Sequence, residues 1–214
     1  MDDFSLADIV RNLLLAARWT VALTLVAFVG GGVAGLLILL ARVDRRRWLV
    51  RLAKAYIGLF QGTPLLLQLF LVFFGLPLLG LPIEPWMAAA FGLTTYASAY
   101  LAEIWRGGVE AIPRGQWDAA AALGLHTIAR LRLVILPQAL RVTLPPAVGF
   151  LVQLVKATAV TSIIGFSEMM KTANAINNAT FEPFTVYGLV ALIYFALCFP
   201  LTTVARRLEA APGP

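Results

Sequence analysis

The sequence predicts an all-α integral membrane protein with about five transmembrane helices, arranged as a single domain over residues 1–214. The first observation is composition: 60% of the residues are hydrophobic and 13% are charged. A soluble domain has roughly 25% charged residues, about twice as many. The second observation is that apolar segments recur along the chain, each near the length of about 20 residues that crosses the hydrocarbon core of a bilayer.

The five apolar segments are the expected transmembrane spans, and a long polar segment separates the third from the fourth. The spans are 19–41, 62–81, 86–105, 147–166 and 184–204, and the polar segment is 106–141. Trp19, Trp86 and Trp105 stand at span ends, where interfacial aromatic residues concentrate.

The first two spans contain features that affect helix packing. Gly31 and Gly35 form a small-xxx-small pair, which allows close approach of helix backbones in lipid. The second span is expected to begin earlier, near Ala55, and to be broken or kinked at Gly62-Thr63-Pro64, because proline lacks the N–H that continues a helix.

The basic residues predict the orientation. Most of the 17 Lys and Arg residues fall between spans one and two, between spans three and four, or after span five. Cytoplasmic loops carry such an excess of positive charge. The N-terminus is therefore expected outside and the C-terminus in the cytoplasm, and segment 106–141 becomes a cytoplasmic loop.

The most distinctive part of that loop is Gly115 to Pro137. Asp118 begins an alanine-rich run and is expected in the first turn of a helix, where the helix dipole favours negative charge. Gly124 is expected to end this helix with a positive φ. A second amphipathic run, His126 to Ile135, is expected to be interrupted at Pro137. A helix of alanines can approach a partner's backbone closely, although a solvated loop helix would have the same pattern.

Asp118-Ala119-Ala120, Gly124, Val134 and Leu136-Pro137 resemble the Glu-Ala-Ala loop of permease subunits in bacterial ABC importers, with Asp for Glu and Val for Ile. Further segments resemble the polar amino-acid uptake branch of that family, which includes histidine, glutamine and arginine permeases. These segments are Gly62-Thr63-Pro64 with Gln68, Ala102-Glu103-Ile104 with Arg106-Gly107-Gly108, and Pro113-Arg114-Gly115-Gln116.

The resemblance implies a coupling-helix loop and a set of partners. The implied coupling residues are Gly115, Gln116, Asp118, Ala119, Ala120, Gly124, Leu136 and Pro137. The implied partners are two ATPase subunits that use the ATP, a second permease subunit, identical or paralogous, and an extracytoplasmic substrate-binding protein. The implied location is the bacterial inner membrane, and the implied substrate is an amino acid.

Lys156 is the one basic residue near the middle of an expected span, about 13–15 Å from either end. A lysine at a helix centre costs about 2.5–3.5 kcal/mol, so it should face the bundle interior, a water-filled path or a carboxylate. Two other interpretations are an ion pair with Glu103 and a span broken near Pro145-Pro146. In a substrate path, Lys156 would meet an α-carboxylate and Glu168 an amino group. The hydroxyl groups expected along this path belong to Thr158, Thr161 and Ser162.

Other classes of function find little support in the sequence. No Gly-x-x-x-x-Gly-Lys phosphate loop, Cys/His metal spacing or convincing catalytic carboxylate pair is present, so we expect no catalytic residue, metal or bound cofactor in this chain. The basic residues lie between apolar spans, which favours topology over nucleic-acid binding. The alternatives are an integral-membrane enzyme or scaffold, which needs converging polar groups, and a secondary transporter, which is expected to show internal repeats.

Overall fold

The computed structural model describes residues 5–210. Residues 1–4 and 211–214 of the expected domain, including the N-terminus predicted to lie outside, fall beyond the described residues. Eight helices make up the described fold: α1 (Leu6–Arg42), α2 (Arg47–Gly62), α3 (Leu65–Leu78), α4 (Pro85–Glu110), α5 (Arg114–Ala122), α6 (Thr127–Ser162), α7 (Met169–Thr180) and α8 (Pro183–Ala210).

The core of the bundle is the packing of α1 along α4. A Cβ atom built on Gly31 would lie 2.5 Å from the Cβ of Ala97, and one built on Gly35 would lie 2.9 Å from the carbonyl oxygen of Ser98. Real side chains do not fit at such distances, so both positions need glycine for the two backbones to meet. The predicted close approach at Gly31 and Gly35 is confirmed.

Three helices, α1, α6 and α8, are each long and apolar enough to cross a membrane, and α2 with α3 would make a fourth span as a bent pair. The expected third span, 86–105, lies within α4, whose 26 residues extend about 39 Å. Many of its residues, such as Ala88, Ala97 and Ala102, are small and buried against the other helices. A helix packed by protein needs fewer large apolar side chains than one facing lipid. Accordingly, α4 is less hydrophobic than α1, α6 and α8.

The chain bends by 107° between α2 and α3, where a break at Gly62-Thr63-Pro64 is predicted. The buried side chain of Gln68 holds this bend: its Nε2 donates to the carbonyl oxygens of Phe60 at 2.9 Å and Thr63 at 3.0 Å. These carbonyls lie at the end of α2, where a helix leaves acceptors without partners. Gln68 therefore supplies from α3 the donors that α2 lacks.

Helix α6 starts much earlier than the expected fourth span, and much of the segment expected as loop 106–141 is helical. The expectation that Pro137 interrupts the second run is wrong. A π-helical turn, Leu131–Ile135, precedes this proline and shifts the hydrogen-bond register, so that the missing N–H does not end the helix. Pro145 and Pro146 also lie inside the helix, so the interpretation of a span broken there is excluded.

The C-terminal ends of α1 and α4 lie at the same end of the bundle. Arg42 Nε is 3.9 Å from the Glu103 carboxylate, which also accepts a hydrogen bond from Arg106 Nε at 2.8 Å. Helix α5 follows α4 directly, and α7 lies near the beginning of α1. The fold thus places the arginine-rich segments and α5 at one end and α7 at the other.

Candidate functional site

One face of helix α5 packs against the rest of the chain, and the opposite face is exposed. Trp117 packs on a small cluster formed by Ile112, Ile135 and Ala139, and Ala120, one turn later, is 2% exposed. Gln138 Nε2 on α6 is 3.4 Å from Gln116 Oε1. These contacts hold α5 against α6, a helix long and apolar enough to cross a membrane.

Gly124 ends this helix as the sequence predicts. Its φ is +76°, its N–H donates to Ala121 and the N–H of Leu125 donates to Ala120, which is the Schellman pattern of a helix C-terminus. The turn leaves Leu123 80% exposed and Ile128 on the next helix 73% exposed. Two large apolar side chains are therefore presented at the end of the bundle that carries the arginines.

Asp118 lies in the middle of α5 rather than in its first turn, because the helix begins at Arg114. The expected dipole interaction at a helix start is therefore wrong. The Asp118 side chain is exposed and has no basic group within 4.0 Å among residues 5–210. The other residues predicted for the coupling site, apart from buried Ala120, are exposed as well: Gly115, Gln116, Ala119, Gly124, Leu136 and Pro137.

Lys156 lies near the C-terminal end of α6 and is exposed on the surface of this chain. No carboxylate lies within 4.0 Å of it in the described part of the chain, and Glu103 pairs with Arg106 and Arg42 instead. The structure thus does not form the ion pair considered for Lys156. Gln153 is exposed one turn earlier, so two polar side chains share one outer face of a membrane-crossing helix.

The hydroxyl groups predicted beside Lys156 point elsewhere. Thr158, Thr161 and Ser162 are buried, and each donates to the carbonyl oxygen three residues before it, at 2.6–2.7 Å. These bonds occur in the 3-10 turn that closes α6. In this conformation the three hydroxyls stabilise the end of α6 and do not join the exposed Gln153 and Lys156.

Glu168 is fully buried and caps α7. Its carboxylate accepts hydrogen bonds from the backbone N–H of Lys171 at 2.8 Å, from the Thr20 hydroxyl on α1 at 3.3 Å and from the Tyr194 hydroxyl on α8 at 3.3 Å. One side chain therefore joins three helices. Burial raises the pKa of the Glu168 carboxyl, and the hydrogen bonds it accepts oppose that effect only in part.

Sequence reasoning missed the residues that hold these sites in place. Thr20 and Tyr194 are separated from Glu168 by 148 and 26 positions, so no local pattern connects them. Trp117 offered a signal, because a single large aromatic residue in an alanine-rich helix marks the side that is buried. Gln138 offered none, since a single glutamine is ordinary within a helix and this one is half-buried inside α6.

The sequence and the fold are similar to those of known proteins. The family model described as "Binding-protein-dependent transport system inner membrane component" matches residues 27–212. The chain is 38% identical over 191 residues to the probable amino-acid ABC transporter permease YckA of Bacillus subtilis (strain 168), covering 89% of this chain and 84% of YckA. It is 36% identical over 194 residues to the arginine transport permease ArtQ of the same organism, covering 89% and 87%.

A solved structure agrees with the sequence relatives. A chain of the crystal structure of an amino acid ABC transporter with histidines superposes with a TM-score of 0.91 at 32% identity, covering 98% of each chain. The match spans the whole membrane bundle together with α5. The chain therefore belongs to the family of inner membrane components of binding-protein-dependent transport systems, as a multi-pass ABC importer permease and not an enzyme.

Proposed function

We propose that this chain forms half of a translocation path for an amino acid and that α5 receives the motion of an ATPase subunit. The observation that carries the proposal is the free face of α5. It presents Asp118 and three exposed alanines, with Leu123 and Ile128 exposed beside it. An exposed apolar pair next to a charge suits a partner's groove, and family membership implies ATPase partners.

A second permease subunit, identical or paralogous, would cover Lys156. A lysine and a glutamine on the outer face of a membrane-crossing helix would be costly against lipid. Gly149, on the same face two turns before Lys156, has open space beside it. Pairing two such faces would create a path with polar walls between the subunits, and an extracytoplasmic binding protein would deliver the substrate to it.

The amino-acid substrate is supported by the relatives and by the chemistry of Lys156. YckA and ArtQ are named as amino-acid and arginine transport permeases, respectively. Every amino acid carries an α-carboxylate that an ammonium group can bind in transit. Glu168 would act indirectly on this path, by holding α7 against α1 and α8, because its carboxylate is enclosed.

The orientation of the proposal places α5 in the cytoplasm and α7 outside. Single cysteines at His126 and Glu182, introduced with Cys198 replaced by serine, test this in intact cells with an impermeant thiol reagent. We expect labelling at position 182 and none at position 126. Labelling at position 126 would place α5 on the wrong side for contact with an ATPase.

Copurification tests the function itself. We expect two ATPase subunits and a second permease copy or paralogue to be isolated with this chain. In proteoliposomes, ATP hydrolysis should rise when the binding protein and an amino acid are added together. A chain that is isolated alone, or amino-acid uptake that continues without ATP, would contradict the proposal and favour a secondary transporter.

A further inference from the structure

A groove of about 690 Å³ opens on the surface of the bundle between α1, α4 and the segment that follows α6. Its walls are mainly apolar and include Leu23, Ala90 and Phe166. Trp19 and Trp86 also line it, and their side chains are 49% and 54% exposed. The volume falls in the range of about 300–1,000 Å³ typical of small-molecule sites, yet none of the coupling or transport residues lines it.

The position of the groove indicates the interface between headgroups and hydrocarbon. Trp19 and Trp86 stand where the first and third spans are expected to begin, and tryptophan concentrates at that level of a bilayer. Val26, two turns deeper along α1, also lines the groove and is 55% exposed. The groove therefore runs from the level of the headgroups toward the hydrocarbon and is open on its lipid-facing side.

Two charges of opposite sign contact the tryptophans that line the groove. The Arg18 guanidinium lies 5.5 Å from the centre of the Trp19 ring, within the range of a cation–π contact. The Glu84 carboxylate accepts a hydrogen bond from Trp86 Nε1 at 2.8 Å. Within residues 5–210, neither Arg18 nor Glu84 has an ion-pair partner within 4.0 Å.

We propose that this groove binds an aminophospholipid such as phosphatidylethanolamine. The phosphate would bind Arg18, the ammonium would bind Glu84, and one acyl chain would lie along the apolar wall. A phosphatidylglycerol phosphate could also bind Arg18, but its headgroup offers no cation to Glu84. A choline headgroup has no N–H to donate to that carboxylate. The pair of charges therefore selects a lipid with a primary amine.

Native mass spectrometry of the purified transporter complex tests the proposal. The complex is incubated with an equal mixture of phosphatidylethanolamine, phosphatidylglycerol and phosphatidylcholine, and the retained lipids are counted. We expect preferential retention of phosphatidylethanolamine. Arg18→Gln should lower retention of phosphatidylethanolamine and phosphatidylglycerol roughly tenfold, as expected for the loss of a charge-assisted hydrogen bond. Glu84→Gln should lower retention of phosphatidylethanolamine alone.

Two matched variants complete the test. Arg11→Gln removes an exposed arginine from the same helix but outside the groove, and it should retain lipid as the unmodified complex does. Ala22→Trp fills the groove and should displace the lipid while both charges remain. Equal retention of the three lipids, or an equal loss in Arg11→Gln, would overturn the proposal. Cross-linking of a cysteine at Ala22 to the second permease subunit would also overturn it, by showing that protein covers the groove.

Discussion

Asp118 and Glu168 are two acidic residues that sequence reasoning selects for function, and the structure places them in opposite surroundings. Asp118 is exposed in the middle of α5 and has no basic partner among the residues described. Glu168 is fully buried and accepts hydrogen bonds from α1, α7 and α8. The Asp118 carboxylate thus pairs with no basic group of the described chain, whereas the Glu168 carboxylate accepts hydrogen bonds from three of its helices.

This difference separates residues that act on partners from residues that hold the bundle together. Removing a buried carboxylate should lower the stability of the chain itself, since the groups that donate hydrogen bonds to it would be left without an acceptor. An exposed carboxylate should change stability little and should matter only when another protein or a ligand binds it. Lys156 belongs with Asp118, because it too is exposed in the single chain.

The largest effect is expected from reversing the charge on α5. Asp118→Lys should leave the protein folded in the membrane but uncouple uptake from ATP hydrolysis, because truncating a buried interfacial charge pair costs about 2–5 kcal/mol. Gly124→Leu should act similarly, since a side chain at φ +76° distorts the turn that presents Leu123. The measurement is amino-acid uptake beside ATP hydrolysis in the same proteoliposomes.

Glu209→Lys is the matched control for Asp118→Lys. Glu209 is an exposed acid near the C-terminal end of α8, and the cluster on which α5 packs includes no residue of α8. We expect it to leave uptake unchanged. Normal coupled uptake by Asp118→Lys and Gly124→Leu would show that the exposed face of α5 does not dock an ATPase subunit. The distinction drawn between Asp118 and Glu168 would then be wrong.

Lys156→Met should lower uptake next most strongly. Losing a hydrogen bond to a charged group costs about 1.5–3 kcal/mol, which corresponds to roughly tenfold or more in rate. Lys156→Arg keeps the charge and should retain part of the uptake. Lys54→Met removes an exposed lysine from α2 and serves as the control. Unchanged uptake in a fully assembled Lys156→Met complex would make this lysine a structural residue.

Most of the fold could be predicted from the sequence because the bilayer imposes a simple length and composition on each span. The break before Pro64 and the glycine turn at Gly124 were also predictable, since each depends on the conformational limits of one residue type. The continuity of α6 through Pro137 was not predictable from propensity. It depends on a π-helical turn, whose last residue, Ile135, packs with Ala139 under Trp117, a contact between separate segments of the chain.

The site was predictable only where a motif is contiguous. The α5 residues lie within one short segment, so the resemblance located them together. Whether Glu168 faces a substrate path or caps a helix depends on Thr20 and Tyr194, which come from distant parts of the chain. Burial of a polar side chain is a property of the packed bundle, and a single sequence does not specify it.

A smaller effect is expected from removing the Glu168 carboxylate. Glu168→Ala should lower stability by about 1–3 kcal/mol, because the hydroxyls of buried Thr20 and half-buried Tyr194 and the N–H of Lys171 would lose their acceptor. Thermal unfolding of the detergent-solubilised protein measures this loss. Asp118→Ala is the control and should unfold at the unmodified temperature. Equal changes in the two variants would contradict the distinction between buried and exposed carboxylates.

The smallest effect is the pH dependence that the same carboxyl contributes. Burial raises its pKa above the ordinary value of 4.5, so the folded protein keeps this proton at pH values where the unfolded chain has lost it. Stability from this group is therefore greatest at low pH and falls as pH rises from 4.5 through the raised pKa. Glu168→Gln cannot titrate and should lack this fall.

The measurement is the free energy of unfolding of both proteins from about pH 4.5 to 8. The other polar groups at this site, the Tyr194 hydroxyl and the exposed Lys171, are the same in both proteins, so the difference between the two curves isolates Glu168. A difference that stays constant would mean that the hydrogen bonds to the carboxylate cancel the effect of its burial on the pKa, and one that grows in favour of the unmodified protein as pH rises would mean that they outweigh it.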